Sequence, residues 1–419
     1  MKIFKFGGAS VRNAEAIRNL HRIVEPASSS PLVIVVSAMA KSTNQLEEVL
    51  GKKRAGKSIT QELQEFMNYH LEVCQELFES DDHPIFRELE SLFGLLKQAL
   101  DGSYRSYDKH YDQVVSHGEL FSTAIVNEFL NHSGTKCNLV SAKNLIITDS
   151  TFREGLVRWD LTKKAVGHYA NAAHHGSLIL TQGFIAADEH GNTTTLGREG
   201  SDFTAAILAS CLDAESVTIW KDVSGVFNAD PNSWKHAIKY PSISYGEAAE
   251  MTYYGASVIH PKTIRPLAVK GIPLIVRSFI DTQEEGTLIT EIRHEALAPA
   301  IIFKSNQCLI SFHARDFSFI NESKVSLIFH LFEQYKIPIN MMQSSAISFS
   351  VSVDNPDEKL KTIINSLSGE FTIYYNDRLE LITVKNYTSE TIANAISGRN
   401  ILLEQKTRKN YQALVSSHS

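Results

Sequence analysis

The chain has 419 residues and a mass of 46.7 kDa, with 43% hydrophobic and 21% charged residues. These proportions belong to a globular protein of two to four domains and exclude a fibrous, collagen-like or disordered chain. The formal net charge of −6 is a poor basis for a dedicated nucleic-acid binder and suits an enzyme of small molecules.

The N-terminus, Met1-Lys2-Ile3-Phe4-Lys5-Phe6-Gly7-Gly8, lacks the apolar run and cleavage site of a secretory leader and reads as a first strand. No stretch approaches the roughly eighteen apolar residues of a membrane span. Cys74, Cys137, Cys211 and Cys308 form no C-x-x-C pair. They predict neither a zinc knuckle nor a disulfide framework, but reduced thiols in a cytoplasmic protein.

Short apolar runs at 3–6, 32–37, 139–147, 178–184, 217–220 and 273–277 are strand candidates. Being apolar throughout, they suit strands covered on both faces. Helical patterns at 14–24, 61–78, 119–131, 202–212 and 245–254 alternate with them, which predicts an α/β/α layered sheet. Residues 45–113 are helix-rich and charged, a helical elaboration on that sheet. Beyond about residue 298 the units shorten. Strands at 308–313, 340–353, 371–375, 379–384 and 401–406, with helices at 322–335, 356–367 and 389–396, follow the ferredoxin-like order. The expected division is therefore 1–298 and 299–419, the latter as two small α+β units.

Gly51-Lys52-Lys53-Arg54-Ala55-Gly56-Lys57-Ser58 matches the G-x-x-x-x-G-K-S pattern of a phosphate loop. That loop works only after a buried strand, where backbone N–H groups converge on phosphate. Residues 44–50 read instead as a charged helix, so the segment is a basic loop between helices. A better anion cradle is Lys5-Phe6-Gly7-Gly8-Ala9-Ser10, between a strand and a helix starting near Asn13. Two glycines permit close backbone approach, and Lys5 adds a positive charge. Further polar clusters follow apolar strands at 37–44, 193–202 and 220–230, where open α/β sheets bind ligands.

Together, Lys5-Phe6-Gly7-Gly8-Ala9-Ser10, Ser116-His117-Gly118-Glu119-Leu120, Thr194-Thr195-Leu196-Gly197-Arg198 with Gly200-Ser201-Asp202, Trp220-Lys221-Asp222-Val223 and Gly255-Ala256-Ser257-Val258-Ile259-His260-Pro261 resemble the aspartokinase signatures, in order and spacing. The resemblance implies the amino acid kinase fold, transfer of the ATP γ-phosphoryl group to the β-carboxylate of L-aspartate, MgATP as substrate, and C-terminal paired ACT domains, the second degenerate. Those domains imply a homodimer and a possible amino-acid effector. By resemblance Lys5, Gly7, Gly8 and Asp202 form the catalytic centre, with Ser37, Thr43, Glu119, Arg198 and Ser201 on the aspartate side. Lys221, Asp222, Phe227, Asp230 and Ser257 stand on the nucleotide side with Lys5 and Gly8. Ser201 also reads as a helix N-cap.

A carboxylate nucleophile, with a pKa of about 3.9, is ionised at neutral pH and needs no general base. It needs relief from repulsion by phosphate, plus alignment. His117 and His260 are therefore expected to be structural. Several positions depart from the family pattern: Lys221, Phe227, Asn232 and Ser257 replace threonine, tyrosine, arginine and lysine. Lys221 and Lys262 are candidates to replace the lost cations. Glu199 adds a negative charge beside Arg198. Asn340 and Ala346 stand where lysine-sensitive relatives carry acids, which predicts weak lysine inhibition. A related kinase for another acidic amino acid, and a weakly catalytic ACT-containing sensor, remain open alternatives.

Overall fold

The computed structural model describes residues 1–416 except 81, 105, 175–177, 257–258, 293–296, 317 and 356–357. Contacts divide the chain into two compact units. The first comprises Met1–Val226, Lys239–Ala249 and Val258–Arg293; the second comprises Phe227–Ile238, Glu250–Ser257 and His294–Ser419.

The chain begins β1 (Lys2–Phe6), α1 (Ala14–Val24) and β2 (Leu32–Val36). Five helices follow without a strand: α2 (Ser42–Arg54), α3 (Thr60–Leu77), α4 (Pro84–Asp101), α5 (Tyr107–Val115) and α6 (His117–His132). Then come β3 (Cys137–Leu139), β4 (Ile147–Thr148), α7 (Trp159–His174), β5 (Leu178–Gln182), β6 (Ile185–Asp188), β7 (Thr193–Thr195), α8 (Gly200–Leu212) and β8 (Ser216–Lys221). β9 (Ser242–Ser244), α9 (Tyr245–Tyr253), α10 (Pro261–Lys270), β10 (Leu274–Ser278) and β11 (Thr287–Thr290) complete this part.

The main sheet has the order β3-β5-β2-β1-β8-β10-β11-β9, with only the β10–β11 pair antiparallel. β2 buries all five of its residues, as a strand covered on both faces must. α1 starts where the Asn13 side chain accepts the N–H of Ala16, and buries Ala14, Ile17, Leu20 and Val24 at helical spacing. α2–α6 share one core with β1 and β2 through Leu46, Phe66 and Phe121. The basic segment 51–58 is the end of α2 and the loop after it, so it lacks the strand a phosphate loop needs.

The expected strand at 139–147 is instead two short strands, β3 and β4, separated by a 3₁₀ turn at Ala142–Asn144. The run at 178–184 breaks at Phe184, whose φ of 66° starts β6 in a new direction. β6 and β7 form a small sheet with β4.

The second unit is one antiparallel sheet, β13-β14-β12-β15-β17-β16. Its elements are β12 (Ala300–Ala314), α11 (Glu322–Gln334), β13 (Ile339–Ser344), β14 (Ser348–Asp354), α12 (Glu358–Leu367), β15 (Phe371–Lys385), α13 (Ser389–Ile396), β16 (Asn400–Lys406) and β17 (Asn410–Ser416). The expected strands 371–375 and 379–384 are one strand, and β17 was not anticipated. β12 and β15 pair along their length, with irregularities between Lys304 and Leu309. The Phe312–Phe332–Phe371 core lies on one half. Ile301, Ile382 and Val415 form another, joined by Ala229 and Trp234. The first ferredoxin-like unit is thus inserted into the second, whose first strand is residues 300–304. Among the described residues, no helix is long and apolar enough to cross a membrane.

Phe6 closes β1 and stacks on Trp220 of β8, with ring centroids 6.1 Å apart and planes 4° from parallel. Phe6→Ala leaves a cavity there and is expected to cost about 3–5 kcal/mol. Urea denaturation followed by tryptophan emission measures it; a loss below about 1 kcal/mol would contradict this packing.

Candidate active site

Lys5 lies near the end of β1, and Lys221 ends β8. Parallel pairing sets Lys5 beside Ile219, and the two-residue period puts Lys221 on that same face. α8 packs against both strands there. Its third residue, Asp202, holds the Lys5 ammonium at 2.6 Å through Oδ1 and the Lys221 ammonium at 3.5 Å through Oδ2. Lys5 and Asp202 are buried, and Lys221 is mostly so. Burial alone would raise the Asp202 pKa, but the charges of Lys5 and then Lys221 outweigh it and hold the carboxyl below its usual value. Two ammonium groups thus share one buried carboxylate at the sheet's carboxyl edge. Cations held at this edge suit an anionic ligand.

The β1 strand runs into a 3₁₀ turn, Gly8–Val11, with Gly7 at its start. A Cβ on Gly7 would lie 3.5 Å from the Lys5 Nζ. A Cβ on Gly8 would stand 2.7 Å from the Ala40 carbonyl and 2.8 Å from that of Ala38, so only glycine fits. Ala40, itself left-handed at φ 46°, donates its N–H to the Gly8 carbonyl. The loop after β2 is thereby tied to the glycine turn. Ser37 begins that loop; its N–H bonds the Phe6 carbonyl and its carbonyl accepts the Ser122 hydroxyl at 2.8 Å. Thr43 lies in the first turn of α2, beside Gly118 in the first turn of α6.

Glu119, third in α6, is fully enclosed. Its Oε1 accepts the Ala38 N–H at 3.2 Å, while Oε2 has no hydrogen-bond partner among the described residues. Burial pushes its pKa up to about 8, against the opposing pull of the Ala38 N–H and the Lys5 charge. A buried carboxylate oxygen without a donor is costly and fits a ligand cation.

Arg198 is exposed in the turn between β7 and α8. The expectation that Ser201 caps α8 is corrected. The helix starts at Gly200 and its N-cap is Glu199, left-handed at φ 53°. Ser201 is buried inside the first turn, where its backbone N–H is unclaimed by the helix and Gly183 packs on its side chain. Glu199 accepts the His260 N–H at 2.9 Å, which joins the α8 turn to the start of α10. His260 in turn caps α10 through Nδ1, and His117 bonds the Gln113 carbonyl.

The nucleotide-side candidates fall in different parts of the chain's fold. Asp222 is exposed and lines a cavity of about 290 Å³ with Ser10 and Asn13. Phe227 and Asp230 belong to the second compact unit, where Asp230 Oδ1 accepts the Asn232 N–H and closes a turn. Ser257 lies outside the described residues. Lys262 lines a different cavity, between α7, α8 and α10.

Two contributors were missed. Phe184, in a left-handed conformation, packs so closely on Gly200 that a Cβ there would come within 2.6 Å of its ring. Asp112 on α5 is fully buried and accepts the Arg153 N–H, the Thr195 N–H and the Thr195 hydroxyl at 2.8, 3.1 and 2.7 Å. It braces the strand that leads to Arg198. Neither carries a sequence signal, because both act through contacts distant in the chain.

Two lysines on one buried carboxylate, beside a glycine turn at the carboxyl edge of a parallel sheet, define an anion-handling α/β site. The amino acid kinase family model matches residues 1–278. Lysine-sensitive aspartokinase 3 of Escherichia coli is 31% identical over 358 residues, 84% of this chain and 78% of the relative. A bifunctional aspartokinase/homoserine dehydrogenase 2 of Arabidopsis thaliana is 31% identical over 296 residues, 69% of this chain. The chain spans 32% of that relative's length. The crystal structure of E. coli aspartokinase III with aspartate and ADP superposes with a TM-score of 0.84 at 26% identity, covering 99% of this chain and 96% of that one. The chain belongs to the amino acid kinase family and, within it, to the aspartokinases.

Glu119 gives a pH signature. Its folded pKa of about 8 lies above the ordinary 4.5, so the folded chain holds the proton more tightly. The stability this contributes is complete below pH 4.5 and is lost as pH rises to about 8. Glu119→Gln removes that titration. Without ligand, the variant is expected to gain thermal stability over the parent progressively across this window. A melting-temperature difference independent of pH would contradict the buried, unpaired carboxylate.

Proposed function

We propose that the chain is an aspartate kinase, giving 4-phospho-L-aspartate and ADP from L-aspartate and MgATP, the first step towards lysine, threonine and methionine. The two lysines held by Asp202, Lys5 and Lys221, together with the buried Glu119 whose Oε2 has no hydrogen-bond partner among the described residues, carry the reading. An oxygen of the substrate β-carboxylate forms a bond to the γ-phosphorus as the bond from that phosphorus to the bridging oxygen breaks. No proton moves, so no base is required. Asp202, kept ionised by two ammonium groups, positions them and accepts no proton. Lys5 offsets the repulsion between carboxylate and phosphate, and the N–H groups of Gly7 and Gly8 line the phosphoryl oxygens. Lys221 supplies the second cation on the phosphate side.

Glu119 is suited to the substrate α-ammonium and Arg198 to its α-carboxylate. Ser37, Thr43 and Ser201 complete the aspartate side, and Asp222 belongs with the nucleotide. Mg²⁺ enters with ATP. Phosphates and water supply most ligands of such an ion.

Incubation with ATP, Mg²⁺ and hydroxylamine is expected to yield the acyl hydroxamate with aspartate and not with glutamate. No turnover with aspartate would refute the proposal. Lys5→Ala should lower kcat about 10²–10³-fold, as loss of one charge-stabilising donor does. Arg198→Ala should mainly raise the KM for aspartate, by about 10- to 100-fold, since it removes binding present in both ground and transition states.

The second unit supports a homodimer through its ferredoxin-like half, where Phe329, Met342 and Tyr374 are exposed. It also supports weak lysine control. Asn340 accepts the Lys304 ammonium at 2.9 Å and donates to Gln307 and Asp354, while Lys304 pairs with Asp354 at 2.7 Å. An internal ammonium thus holds the acceptors that an effector ammonium would need. Sub-millimolar lysine is expected to leave the initial rate of the purified enzyme unchanged; half-inhibition in that range would contradict this.

A further inference from the structure

α7, α8 and α10 enclose a second cavity, of about 590 Å³, that none of the roles above uses. This volume lies within the roughly 300–1,000 Å³ of small-ligand sites. Phe203 and Pro266 contribute apolar lining, and Leu156, Trp159 and Val269 stand 65%, 42% and 79% exposed around it. Large apolar side chains left in water around a concavity favour an apolar occupant.

Its rim is cationic. Lys163, Lys262, Arg265 and Lys270 line it against two carboxylates, Glu154 and Asp160. Lys270 is also paired with Asp213 at 2.6 Å. Cys211 stands on the cavity wall with Lys163 and Lys270. On a chain of net charge −6, this local excess of cations over an apolar floor selects ligands by sign as well as by shape.

The cavity is joined to the Arg198 turn by two routes. Leu196 lines the cavity two residues before Arg198, and the neighbouring Gly155 donates its N–H to the Thr195 carbonyl at 2.8 Å. On the other side, Lys262 donates its N–H to His260, whose own N–H is held by Glu199.

We propose that this cavity binds an amphipathic organic monoanion, an aromatic or medium-chain alkyl body bearing one carboxylate or sulfonate, and that occupancy shifts the Arg198 turn and with it the affinity for aspartate. The coupling rests on the aspartate kinase reading; the binding does not.

The probe is 8-anilinonaphthalene-1-sulfonate, read by energy transfer from Trp159, one of three tryptophans. Micromolar binding is expected, displaced by octanoate and not by octan-1-ol at equal concentration. Val269→Asp and Arg265→Ala, both at exposed positions, should weaken it at least tenfold with the melting temperature unchanged. Trp159→Phe should abolish the transfer while direct probe emission still titrates. Saturating octanoate should change the KM for aspartate at least twofold. Binding untouched by both rim variants, or displacement by octan-1-ol equal to that by octanoate, overturns the site. So does a Val269→Asp variant that sediments as a smaller species, which would make this face an interface between copies. Binding with an unchanged KM overturns the coupling. Absence of kinase turnover leaves the fluorescence readout intact, so the two failures are distinct.

Discussion

One carboxylate shared by two ammonium groups organises this molecule's chemistry. Asp202 can hold Lys5 and Lys221 together only because β1 and β8 are adjacent and parallel and α8 begins above their ends. Placing that trio under α8 costs desolvation of three ions, which their mutual attraction offsets. The same arrangement keeps Asp202 ionised, which removes it from proton transfer and leaves it as the positioning group for both cations.

The loops around this cluster are held in conformations that the chain would not adopt locally. Ala40, Phe184 and Glu199 are all left-handed without being glycine, and each contacts another part of the site. Ala40 bonds Gly8, Phe184 packs on Gly200, and Glu199 reaches His260. Non-glycine residues in that region cost of order 1–3 kcal/mol each and persist only where surrounding contacts over-determine them. Asp112 adds a brace from the helical elaboration, fixing Arg153 and Thr195 at once. The helices α2–α6 are therefore part of the site's support as well as of its core.

The second unit solves a different problem. Two small α+β units would each leave strand edges open. Pairing of β12 with β15 merges them into a six-stranded sheet; each half keeps a core of its own, and a further cluster with Leu309, Met341 and Leu414 draws on both. The half built on Ile301 and Val415 has the single helix α13, and its core takes in Trp234 and Ala229 from a distant part of the chain. A reading that follows the chain in order sees two tandem units, because insertion of one into the other leaves no mark on local periodicity.

The sequence by itself determined the elements whose physics is local. The apolar runs of β1, β2 and β8, the helix start near Asn13, the unsuitability of 51–58 as a phosphate loop, and the aspartokinase resemblance were all legible in residue type and spacing. Short strands between turns, such as β4, β7 and β9, were not, since two or three residues carry no usable period. The Ser201 cap was misread because a left-handed Glu199 starts the helix without a side-chain bond. Only the tertiary structure decided that Lys221 shares Asp202 with Lys5, that Glu119 is buried with one oxygen unpartnered, and that Glu199 is occupied by His260. Those outcomes depend on distances between segments tens to hundreds of residues apart. Electrostatics and desolvation act through space, so spacing along the chain cannot report them.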